Sequence, residues 1–244
     1  MKTTTILAVT VAAMLIGAPV AWWAEASALE TPETKSEVPA LFAYHEVIKV
    51  IWHEAWPAKD TARLRELLPQ VEGGAKAIVD AKLPGILREK QGAWDEQVKT
   101  LQAVVAVYAG AAAGSDEKAL LDAAERLHGQ YEAMVRLIRP PLPELEAFHV
   151  VLYQLYHFDM PAGDVKAIRA TIERMHEPIA ALESAKLPER WSKEQADRFG
   201  NARTKLVVAV NDLAKLAPKS NAKAMKTPIE NVHDRYLGTV SVCE

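Results

Sequence analysis

The sequence predicts an all-α protein: two tandem up-down-up-down four-helix bundles that arose by internal duplication. Three observations carry this. Ala, Leu, Glu and Lys dominate, and alternating β-branched runs are absent. A shift of 104 residues lays Tyr44-His45 on Phe148-His149, Trp52-His53 on Tyr156-His157, and Ala81-Lys82-Leu83-Pro84 on Ala185-Lys186-Leu187-Pro188; a shift of 105 lays Ser115, Glu125, His128 and Tyr131 on Ser220, Glu230, His233 and Tyr236. The breaks between apolar-periodic stretches are short, so successive helices should be antiparallel neighbours. Half of the 244 residues are hydrophobic, a quarter are charged and the net charge is -3. That excludes a disordered or collagen-like chain and argues against nucleic acid as a partner.

Local signals place each element. Lys2 is the sole charge before Glu25, Ile6 to Ala24 is almost wholly apolar, and Ala26-Ser27-Ala28 gives a small-x-small cleavage signal. Residues 1–28 therefore read as a secretory signal peptide. The alternative is an uncleaved anchor, with Trp22 and Trp23 at the membrane interface. Either places the body outside the cytoplasm, periplasmic or secreted, and the tether leaves a membrane-associated partner open. The first bundle is expected over 39–139. Its helix 1 runs from Pro39 to Trp56 and helix 2 from Pro57 to Lys82, with a kink at Gly73-Gly74. Leu83-Pro84 ends helix 2. Helix 3 covers Gly85 to Ala112, and Ser115-Asp116 caps helix 4, which reaches Arg139. A proline-rich linker at 140–143 leads to the second bundle over 144–244, with a break expected near Glu177-Pro178. The lone cysteine, Cys243, permits no internal disulfide but allows a dimer.

Six of the seven histidines fall on three equivalent positions, and His176 alone is unmatched. His128 and His233 replace apolar residues on the seams Leu121, Ala124, His128, Tyr131, Val135 and Ile229, His233, Tyr236, Val240. His45 and His149 occupy similar seams on the first helices. Helix 1 ends and helix 4 begins at the same end of a bundle, so His45 and His128 fall level at about 1.5 Å per residue. Glu-x-x-His on one bundle helix with a ligand from a facing helix is a metal-binding arrangement. The expected sites are His45, Glu125 and His128 in one bundle and His149, Glu230 and His233 in the other. Imidazole and carboxylate suit Zn, Fe, Cu or Ni. Tyr131 and Tyr236 could complete each set. His53 and His157 stand about 80° round a straight helix from His45 and His149; they are expected either to clasp Asp60 and Asp164 or to serve as alternative ligands.

Three readings remain open. One is a metal carrier, buffer or sensor. Another is a b-type haem electron-transfer protein with His45 and His128 as axial ligands; the use of helices 1 and 4 resembles the cytochrome b562 type of bundle, although that family's axial Met has no counterpart at His45. The last is a non-catalytic interaction module with structural His-Glu-Tyr networks. No phosphate loop, nucleophile elbow or HExxH motif marks an enzyme.

Overall fold

A computed structural model describes residues 32–139 and 142–243; the expected leader at 1–28 and linker residues Pro140 and Pro141 lie outside them. Among the described residues the regular structure is all helical, and no helix is long and apolar enough to cross a membrane.

Helix α1 (Pro39–Val50) opens on a proline at its first turn and buries Leu41, Tyr44, Val47 and Ile48. It runs directly into a π-helical turn, Ile51–Ala55. The chain then turns through Lys59, which has a left-handed backbone (φ 52°). The Asp60 side chain accepts from the Arg63 amide and caps α2 (Thr61–Glu66). The second helix therefore begins at Thr61, not at Pro57. Pro69 cannot lie deep inside a continuous helix, so the break falls at Leu67 and α3 (Leu68–Val79) starts beyond it. Gly73-Gly74 is unbroken helix, contrary to the expected kink. A 3-10 segment, Gly85–Lys90, stands where regular helix was expected. Next come α4 (Gln91–Ala113) and α5 (Glu117–Ile138), the latter capped by Asp116.

The second half follows a similar order, with one extra short helix and no 3-10 segment between its third and fourth longer helices. Helix α6 (Pro143–Gln154) passes into a π turn, Leu155–Asp159. After α7 (Met160–Ala162) and a left-handed Gly163, Asp164 caps α8 (Val165–Arg174). The break before α9 (His176–Ser184) falls at Met175, three residues ahead of Pro178. Helices α10 (Lys193–Leu216) and α11 (Ala222–Val240) complete the chain, capped by Ser192 and Asn221.

Helix α4 packs along α5 and α10 along α11, while α1 lies on α3 and α6 on α9. Two apolar cores result. The first is built on Leu41, Ile51, Leu64, Leu101, Tyr108 and Met134, and it also takes in Tyr153 from the second half. The second is built on Leu145, Phe148, Leu152, Phe199, Leu206 and Ile229. Arg65 donates to the carbonyls of Ala112 and Gly114, and Arg169 donates to those of Ala217 and Ser220. Each arginine donates to carbonyls at the end of a long helix, where backbone acceptors lack intrahelical partners or share them.

Gly74 lets Tyr44 lie flat on α3. A Cβ there would stand 2.2 Å from Tyr44 Cδ2 and 2.6 Å from Cε2. Tyr44 is 2 % exposed, and its hydroxyl is buried without a hydrogen bond. Gly74→Ala should destabilise by about 1–3 kcal/mol through overpacking. Tyr44→Phe should be neutral or stabilising, by up to about 1 kcal/mol, because it removes an unpaired buried hydroxyl. Urea midpoints check both, and a loss of stability in Tyr44→Phe would show that its hydroxyl is satisfied.

Candidate metal centre

The π turns decide where the second histidine of each helix points. One extra residue in a turn sets the downstream residues back by about 100°. This cancels most of the offset that a straight helix would place between His149 and His157. His157 accordingly lies edge-on to His233 of α11, with ring centroids 6.0 Å apart. His233 lies flat on Tyr156 at 3.8 Å and His149 lies flat on Tyr236 at 4.3 Å.

The carboxylate of this group comes from the first half. The Gly85–Lys90 segment crosses over the second-half histidines. Gly85 permits the close approach, since a Cβ on it would lie 2.0 Å from the Tyr153 hydroxyl oxygen. Glu89 Oε1 stands 3.1 Å from His157 Nε2 and 3.6 Å from His233 Nε2. The second separation is too long for a hydrogen bond, and His233 Nε2 is buried with no other partner. Among the described residues, Glu89, His157 and His233 are the one group of three or more His, Cys, Asp or Glu whose donor atoms all lie within 4.8 Å of one another. Their side chains are 25%, 13% and 8% exposed.

Arg88 braces the site. Its Nη2 donates to the Tyr153 hydroxyl and its Nε to the Gly85 carbonyl. Its Nη1 lies 3.1 Å from His157 Nδ1. A guanidinium can only donate, so Nδ1 accepts and the ring hydrogen sits on Nε2, facing Glu89. Burial pushes the Glu89 carboxyl up, but nearby His233, a backbone hydrogen bond, and the fields of His149 and His157 together bring it down to about 2. Burial pushes His149 down to about 3, with Glu89 opposing. His157 is lowered by burial and then by Arg88.

The other expected ligands lie elsewhere. Glu125 is exposed on α5. Glu230 pairs with Lys226 at 3.7 Å. Asp60 and Asp164 are occupied as helix caps, so neither forms the expected clasp with a histidine. His45 and His53 are exposed. His45 stands beside the buried stripe of α1 rather than on it. Its counterpart His149 is buried, and the cleft it lines also carries Ile86, Leu87 and Glu89 of the first half. In the first half His45 stacks on Tyr131 at 5.6 Å, and His128 stacks on Trp52 at 4.1 Å.

Sequence reasoning missed Glu89. Glu89 does not recur: the 104-residue shift places Lys193 opposite it. The available signal was the Gly85 to Lys90 stretch itself, which carries Arg88 and Glu89 just after the Leu83-Pro84 break. No family model, curated protein or solved structure matches the chain.

Proposed function

We propose that this is a transition-metal-binding protein whose principal site is Glu89, His157 and His233, acting outside the cytoplasm in metal carriage, buffering or sensing. One observation carries the reading: a buried imidazole nitrogen without a partner is aimed at a carboxylate that a second imidazole already faces. Donors bound at about 2.0–2.2 Å in a tetrahedral site are about 3.3–3.5 Å apart. The separations here, 3.1 and 3.6 Å, bracket that range. Two nitrogens and one oxygen suit Zn, Ni or Cu(II). Three protein ligands leave a fourth position for water or cargo.

We further infer that the chain is a duplicated unit of two helical bundles. Support comes from features that recur at the same shift: the π turns, the capping residues Asp60 and Asp164, the arginine clamps, and the stacked His-aromatic pairs.

A second reading, a network that joins the halves without an ion, is favoured by one contact. Arg88 on His157 Nδ1 leaves the hydrogen on Nε2, where a metal would have to bind. Under the metal reading Arg88 must release Nδ1, so Arg88→Met should bind Zn2+ more tightly than wild type. The full chain, expressed without a histidine tag in a secreting host, is titrated with Zn2+ by calorimetry. Micromolar or tighter binding, weakened at least tenfold in His233→Ala, is expected. A chain that stays metal-free in wild type and Arg88→Met alike supports the network.

A further inference from the structure

The first half gathers related residues round a pocket, with a different carboxylate. His53 lies in the first π turn as His157 lies in the second, and His128 lies on Trp52 as His233 lies on Tyr156, with ring planes within 7° in both pairs. His45, Trp52, His53, His128, Tyr131 and Glu132 line one open pocket. His128 Nε2 is 3.7 Å from Glu132 Oε1, four residues on along α5. The other oxygen, Oε2, accepts from Arg136 at 2.9 Å, which turns Oε1 toward the histidine. Lys49, the remaining cation lining the pocket, is paired with Glu46 at 3.1 Å.

The carboxylates explain each other. The residue 105 positions after Glu132 is Leu237, so the second half has no acid of its own there and receives Glu89 from the first half. The first half carries its own acid, Glu132, beside His128. Each half thus places a carboxylate beside the histidine of its last long helix, taken from non-equivalent positions.

We propose that His53, His128 and Glu132 form a second transition-metal site, open to solvent, for the same class of borderline divalent ion. An imidazole and a carboxylate at i and i+4 on one helix lie on one face, and His53 closes the set from the neighbouring helix. As placed, the three donors are not all within 4.8 Å of one another, but His53 and Glu132 are exposed and can turn inward. Being open, this site should bind more weakly and exchange faster than the junction. The inference shares the metal chemistry of the proposed function but not its residues.

Zn2+ calorimetry on the full chain separates the two. Wild type should take up two equivalents with different affinities. His233→Ala should keep the weaker one, and Glu132→Gln, a surface change that spares the fold, should weaken that one at least tenfold and leave the junction equivalent intact. His128→Ala should do the same. A single equivalent, abolished by His233→Ala and untouched by Glu132→Gln and His128→Ala, would overturn the second site alone. A single equivalent spared by His233→Ala and lost in Glu132→Gln would instead overturn the junction site. No uptake of Zn2+ at all overturns both.

Discussion

In metal-free buffer, the urea midpoint of the chain should fall steadily as pH is lowered from about 6.5 toward 3, and His149→Phe should flatten that fall. The imidazole of His149 is 7% exposed, and its pKa in the folded chain is down to about 3 because burial penalises the cation. Unfolded, the same group titrates near 6.5. The folded pKa is depressed, so the stability linked to this group is fully present above about 6.5. Below that, the unfolded chain takes up a proton that the folded chain refuses, at about 1.4 kcal/mol per pH unit for one proton. His157, also lowered by burial, adds in the same direction. Glu89, down to about 2, adds its own loss as pH falls through the carboxylate range. Phenylalanine at 149 keeps a ring to stack on Tyr236 and removes one titrating group. The slope of ΔG against pH between 6 and 4 should then drop by close to one proton's worth. Parallel slopes for the two proteins would mean that His149 is hydrated and titrates normally.

The helical elements were legible in the sequence because periodicity, capping residues and prolines are local signals. Pro39, Asp116 and the Leu83-Pro84 break each act within a turn of where they stand. The errors were local too, and each has a competing residue behind it. Asp60 caps a helix that starts four residues after the expected start at Pro57, and Pro69 made the break assigned to Gly73-Gly74. The π turns left no comparable mark, since a single inserted residue does not disturb an apolar stripe enough to show. Their consequence was large, because the second of them turns His157 toward His233 and Glu89. The depth of His149 was equally hidden. It depends on a segment some sixty residues earlier folding over it, a long-range contact that no spacing rule reports. Internal comparison found the histidines because they recur, and for the same reason it passed over Glu89 and Glu132, which do not.

Glu89→Ala should lower stability by about 1–3 kcal/mol without metal, because His157 Nε2–H loses its acceptor and the charge facing His233 disappears. With Zn2+ present the gap should widen. Wild type gains RT ln(1 + [L]/Kd), about 2.7 kcal/mol at a hundredfold excess over Kd, and the variant forfeits the part that comes from the junction. Glu89→Gln divides the two contributions. Its amide oxygen can still accept from His157, so much of the metal-free stability should survive. A neutral amide is a poor ligand for a borderline divalent ion, so junction Zn2+ affinity should drop at least a hundredfold, leaving whatever the first-half pocket binds. The contrast between Gln and Ala thus reports what the carboxylate is for. If both variants are equally destabilised and Zn2+ protects them as it protects wild type, Glu89 holds the halves together and ligates nothing. If Gln is nearly as stable as wild type yet blind to Zn2+ at the junction, the loan of Glu89 from one half to the other serves the ion, and the contact between the halves is what keeps the metal centre assembled.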